Sequence, residues 1–348
     1  MVTNSKTKQI YLFFLISLLL CACGRNKRVD VSNIPVDLKI ERFDKDFDEM
    51  ETKPIAPQVA YLQKKYGAFY NDFIALLLQG DGTNTNDTAY FKLLRQVFAK
   101  KDYNDLKHDV DSVYPAMDKE QAELTDAFRH IKYYFPQKKL PRVFTYYSGF
   151  EAQITVGDGY VGIGLDLFLG GNSRFYPALT KAYPHYLSRN FDAKNICPRT
   201  IEGIAREDMF PENDSNKTLL SKMIYNGKIM YFMDQILPDV PDTTKIGYTT
   251  AQLKWCEQFE PTIWGYFLEE NLLYETDFPK IQKFLTEAPF TPGLGEKNES
   301  APKLAVWTGW QIVKRYMDKH PGVTLAELMA DNDAQKILNE SKYRPKQD

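Results

Sequence analysis

Four histidines and four cysteines are the sequence's whole supply of soft metal ligands and thiol nucleophiles. His108, His130, His185 and His320 stand apart from one another, as do Cys197 and Cys256. A zinc site carried by one helix needs H-E-x-x-H, and a knuckle needs cysteines about three residues apart. Neither pattern occurs among them, so no metal ligand is assigned and each histidine reads as solvated or structurally bonded. The oxygen-rich stretch 81–87 invites calcium, but Thr85 holds the third ligand place of a calcium loop and Asn86 the place of its glycine. Gly162-x-Gly164 follows a strand signal, yet Leu167 stands at the third glycine of the dinucleotide fingerprint. No G-x-S-x-G elbow occurs. The motifs therefore give no catalytic residue and no cofactor.

Two carboxylates are left, Glu257 and Glu260. On a helix opening near Thr249, with Leu253 as origin and about 100° per residue, Lys254, Gln258, Thr262 and Glu269 point to solvent. Glu257 falls near 40° and Glu260 near 340°, beside Trp264, Phe267 and Leu268. Both become candidate buried or cleft carboxylates, Glu260 above all. A charge in that position must be bonded, because unpaired it costs several kcal/mol. Pro261 either kinks this helix or opens a second one.

A different chemistry is written at the N-terminus. Lys6 and Lys8 precede an apolar run at 10–22, broken by Tyr11 and Ser17. About twenty apolar residues are needed to span a bilayer, so this run reads as a secretory signal. Leu20-Cys21-Ala22-Cys23-Gly24 resembles the bacterial lipobox, in which a thiol is diacylated and becomes the new N-terminus after cleavage. Cleavage between Ala22 and Cys23 makes Cys23 the lipidated residue, with Cys21 as the alternative. Residues 1–22 are then the signal peptide and 23–33 a lipidated tether. Each acyl CH₂ buried in the membrane contributes about 0.8 kcal/mol, so the chains hold a domain without a spanning helix.

The elements behind these residues follow from periodicity. Val36, Leu38 and Ile40 alternate with Asp37, Lys39 and Glu41, a half-buried strand over 34–43. The segment 57–78 predicts two amphipathic helices interrupted at Gly67, and helices are expected over 90–99 and 119–135, the latter stopped by Pro136. A β run at 141–147 precedes a hairpin at 154–165 that turns on Asp158-Gly159. Helices are expected again over 219–236, 249–274, 304–319 and 325–338. The expected fold is α+β and α-rich, a small sheet with a hairpin packed against many helices, in one domain over 34–345. With 348 residues, 43% hydrophobic, 26% charged and a net charge of −2, the chain is globular and lacks the basic footprint of a nucleic-acid binder. Aromatics are plentiful, with 22 Tyr, 22 Phe and 4 Trp. The clusters at 133–135, 146–147 and Trp307-x-x-Trp310 read as core, or else as the lining of a groove for glycan or peptide.

The residues also carry a likeness. Besides the lipobox it rests on Ile40-Glu-Arg-Phe-Asp44, His130-Ile-Lys-Tyr-Tyr-Phe-Pro136, Lys245-Ile-Gly-Tyr248 and Trp255-Cys-Glu-x-x-Glu260. Further blocks are Trp264-x-Tyr-Phe267, Gly309-Trp-Gln-Ile-Val-x-x-Tyr-Met317 and Ser341-Lys-Tyr-Arg-Pro345. Together they resemble the gliding-motility lipoprotein GldB family over nearly the whole chain, with Phe259 standing where that likeness leads one to expect Asn. The resemblance implies a lipid-anchored, periplasm-facing protein of the cell envelope, in the inner or outer membrane, without catalysis. Its implied partners are membrane lipid through acylated Cys23 and unidentified envelope or gliding-machinery proteins. The competing expectations are a hydrolase of peptide or peptidoglycan using a carboxylate site, and a glycan-binding lipoprotein. A weaker resemblance, of the hairpin and the helices after it, is to the zinc-peptidase architecture of a related predicted-protease family. There a helix bearing H-E-x-x-H follows the strand pair and a later helix supplies Glu before Gly. Here the comparable helix, 198–209, contains no His, and Asn226 precedes Gly227. The likeness implies a degenerate site that has lost its metal.

Overall fold

The computed structural model describes residues 29–77, 88–213, 215–295 and 299–346. Ala22, Cys23, Cys21 and the stretch 81–87 lie outside these. Ile34–Asp348 forms one compact unit.

Strand β1 (Ile40–Arg42) leads directly into helix α1 (Phe43–Asp48). Helices α2 (Ile55–Tyr66) and α3 (Ala68–Leu77) are separated by Gly67, whose φ of 56° lies in the left-handed region that a glycine enters without strain. Then come α4 (Thr88–Phe98), α5 (Lys101–Val113) and α6 (Asp118–Tyr134). Strands β2 (Arg142–Tyr146), β3 (Ile154–Gly157) and β4 (Tyr160–Gly164) complete a four-stranded sheet of order β1-β2-β4-β3. β1, β2 and β4 are parallel, while β3 runs antiparallel to β4 and forms an edge. Asp158-Gly159 makes the hairpin turn, with Gly159 at φ 74°.

The period of two along the strands gives the sheet two different faces. Phe144, Tyr146 and Tyr160 meet Phe43, Tyr66, Phe69 and Phe73 from the N-terminal helices. Val143, Val161 and Ile163 point the other way, into a larger core built from α5, α6 and the helices that follow the sheet. Those helices are α7 (Ile196–Gly203, continuing as a π turn over Ile204–Met209), α8 (Leu219–Ile236), α9 (Thr250–Gln258), α10 (Glu260–Glu269), α11 (Leu304–Lys319), α12 (Leu325–Ala330) and α13 (Ala334–Ser341). Shorter helical turns join them. α8 buries residues on nearly all of its sides, Lys228 among them, and lies in the middle of this core. It crosses α11 at Gly227 and Gly309. A Cβ at Gly227 would stand 2.2 Å from the Gly309 carbonyl oxygen, and one at Gly309 1.9 Å from that of Met223.

The α-rich α+β expectation therefore holds, with several boundaries moved. Burial alternates from residue 34 to 40 as the pattern requires, but ladder pairing begins at Ile40. The expected helix over 249–274 is divided at Phe259, and Pro261 sits in the first turn of α10, where its missing N–H breaks no helical hydrogen bond. The one expected over 325–338 is divided at Asp331, where Asp333 caps α13 by accepting from the Lys336 N–H at 2.8 Å. α5 has no apolar stripe for periodicity to find, because six of its 13 residues are charged and it buries only Leu106 and Val110.

Candidate functional site

A row of charge runs along α7 in the C-terminal half. Arg199, Glu202, Gly203 and Arg206 recur at three- and four-residue spacing and so share one helix face. Gly203 lets that face lie against the hairpin, since a Cβ there would come within 2.9 Å of Ile154 Cγ2 and 3.6 Å of Val156 Cγ2. Beside this contact opens a cleft of about 390 Å³. Ile154, Leu167, Tyr183, Leu187 and Phe191 give it apolar walls, Glu151 stands at its exposed rim, and Arg199, Glu202 and Arg206 form its charged floor.

The floor is closed by ion pairs. Arg199 Nη1 donates to Glu202 Oε2 at 2.5 Å, and Arg206 Nε donates to Oε1 at 3.0 Å. Arg199 Nη2 also donates to the Thr244 and Lys245 carbonyls at 2.9 and 3.0 Å, which fixes the guanidinium. Burial by itself would raise the Glu202 carboxyl. The charges of Arg199, Arg206 and Lys303 outweigh that and hold it down at about 2. A carboxylate so held stays ionised across physiological pH and is a poor proton donor or acceptor, since acid–base catalysis needs a pKa near the working pH. The floor can orient charge and accept hydrogen bonds.

This is the place where the weaker likeness put a metal-bearing helix. Among the described residues no group of three or more His, Cys, Asp or Glu side chains is gathered so as to hold a metal ion. Asn226 donates from Nδ2 to the Lys222 carbonyl of its own helix at 2.8 Å, and Gly227 serves the helix crossing. His130 is buried and bonds the Asp126 carbonyl, His320 bonds that of Tyr316, and His108 and His185 are exposed. Cys197 and Cys256 are buried free thiols, each pushed well above the usual thiol range by burial.

The two carboxylates singled out from the helical phase part company. Glu260 is half-buried and accepts a hydrogen bond from Tyr343 Oη at 2.7 Å. It lines a second open cleft, of about 420 Å³, with Lys314, Arg315, Asp318 and Arg344. Glu257 is exposed, which corrects the expectation of a buried or cleft position. The reason is that Leu253 does not centre the buried side of its helix. α9 turns Cys256 inward rather than Leu253, and α10 starts a new phase that leaves Leu268 48% exposed. The aromatic clusters are mostly core. Trp307, Trp310, Tyr146 and Tyr147 are buried, and Trp310 Nε1 donates to Asp234 Oδ2 at 2.7 Å. Tyr133 is exposed, beside half-buried Tyr134 and Phe135.

The charged floor on α7 was missed in the sequence, although R-x-x-E-x-x-x-R is visible there.

Fold and site define a helix-rich α+β protein with an ion-paired cleft beside a sheet edge. No helix among its described residues is long and apolar enough to cross a membrane. The chain belongs to the gliding motility protein GldB family, whose model matches residues 24–345. No curated protein and no solved structure matches it.

Proposed function

We propose that the protein is a lipid-anchored, non-catalytic component of the cell envelope, serving as a scaffold or binding partner in gliding motility or a linked envelope process. Acylated Cys23, exposed by cleavage after Ala22, anchors it facing the periplasm. The tether 23–33 then presents one domain, 34–345, to envelope or gliding-machinery proteins. The observation that carries this reading is the family match over residues 24–345. The ion-paired Glu202 supports binding over hydrolysis, and the buried tryptophans speak for a packed scaffold rather than an aromatic groove for glycan.

Complementation of a deletion strain tests it. Cys23→Ser should leave an unprocessed or soluble protein without fatty-acid label, and should fail to restore the phenotype that the wild type restores. Retained label and membrane fractionation in Cys23→Ser would overturn the anchor. Turnover of peptides or peptidoglycan fragments by the purified protein, abolished by Glu260→Gln, would overturn the non-catalytic reading.

A further inference from the structure

The free edge of β3 borders the Arg199–Glu202–Arg206 cleft, and the two together have the chemistry of a strand-addition site. In the β3–β4 ladder, Thr155 pairs with Gly162 and Gly157 with Tyr160. The Gly164 N–H donates to the Gln153 carbonyl at 2.9 Å, so residues 153, 155 and 157 are the ones whose backbone groups bond inward. Ile154 and Val156 therefore turn their N–H and C=O groups outward, and no hydrogen bond to either backbone occurs among the described residues. Soluble proteins usually guard such an edge with lysine, proline or a bulge. Ile154-Thr-Val-Gly157 carries no charge and no proline. Four residues are too few for backbone pairing alone to give affinity, so recognition there needs side-chain pockets, and the cleft adjoins the edge at Ile154.

We infer that this edge and cleft bind an extended acidic segment of a partner polypeptide by β-strand addition, deepening the proposed role as an envelope binding component. The inference rests on that reading for its partner class and on the edge geometry for its site. Side chains two apart on an added strand share a face. One apolar side chain enters between Leu187 and Phe191, and a carboxylate two residues along meets the floor. Two guanidiniums share a single carboxylate on the floor, leaving surplus positive charge at that depth, while Glu151 stands at the exposed rim.

The test uses the full acylated protein in detergent and a capped eight-residue peptide of threonines carrying Leu and Asp two positions apart. Saturating peptide should slow amide exchange at Ile154 and Val156 at least tenfold and leave Thr155 and Gly157 unchanged. Replacing the peptide's Asp by Lys, or N-methylating alternate peptide amides, should weaken binding at least tenfold. Val156→Pro removes one outward N–H and no ladder bond, and should do the same. If that variant fails to fold, the exchange pattern of the wild type decides. Absence of saturable binding, equal binding of the N-methylated peptide, protection confined to the Glu260 cleft, or binding of a peptidoglycan glycan oligomer in place of the peptide would each overturn the inference. Cys23→Ser reports on the anchor alone and peptide exchange on the edge alone, so the two failures are distinguishable.

Discussion

At the scale of single residues, the cleft is governed by the sign of one interaction. Glu202 has a side chain 18% exposed, yet it is ionised because two guanidiniums face it. Its carboxyl is depressed in the fold, so its contribution to stability is present above the unfolded value near 4.5 and is lost as pH falls through about 2. Glu202→Gln should destabilise the protein at neutral pH by about 2–4 kcal/mol, because Arg199 and Arg206 would be left buried against each other without a counter-charge. Urea denaturation across pH should show the gap between wild type and variant closing below about pH 4. A gap that stays constant to pH 2 would mean that the carboxylate contributes no charge interaction. Asp48 shows the opposite balance. Burial pushes it up to about 6, with Tyr103 and Tyr147 donating to it at 2.5 and 2.9 Å. This raised carboxyl is buried against Tyr103 and Tyr147 and lines neither cleft.

At the scale of elements, the α8–α11 crossing depends on two glycines. Gly309→Ala should destabilise the fold by about 3 kcal/mol, since the new methyl would meet the Met223 backbone, which cannot swing aside as a side chain can. Gly322→Ala is the control. Nothing lies within 4 Å of a Cβ there, and its effect should stay within about 0.5 kcal/mol by thermal or chemical melting. Comparable small effects of both would show that the crossing loosens at little cost. These helices are also where the sequence spoke most plainly. 219–236 and 304–319 are long apolar stretches, and their ends agree with the folded helices residue for residue. The hairpin was legible because Asp-Gly stands between two β-branched runs. α5 was not, since its helix-forming residues are charged and its packing comes from only two buried side chains. The phase drawn from Leu253 keeps Phe267 inside and Thr262 and Glu269 outside across Pro261, but it misplaces Glu257 and Leu268, because Cys256 rather than Leu253 centres the buried side of α9 and α10 restarts the helix. For the site, the spacing of Arg199, Glu202 and Arg206 was readable. That β3 would be the edge beside it was not, because strand order belongs to tertiary structure.

At the scale of the whole compact unit Ile34–Asp348, one strand joins two cores. β2 sends Val143 into the larger helical core and Phe144 into the aromatic one, so neither face can lose its packing without exposing the strand that supports the other. Phe69 is central to the aromatic side. It is 2% exposed, with ring centroids 5.0 Å from Phe43, 4.9 Å from Phe144 and 5.2 Å from Tyr160. Phe69→Ala should cost about 3–5 kcal/mol by removing buried apolar surface and leaving a cavity. If the sheet couples the cores, the variant should still melt in one transition, and amide exchange in α8, on the far side of the sheet, should quicken by the same free energy. Faster exchange in α2 and α3 with α8 unchanged would instead mean that the aromatic layer opens alone. The cleft beside β3 lies on the α7 side of the sheet, so that outcome would also leave its geometry independent of the N-terminal helices. Coupled melting would make the N-terminal aromatic layer part of what keeps the β3 edge in place for a partner strand.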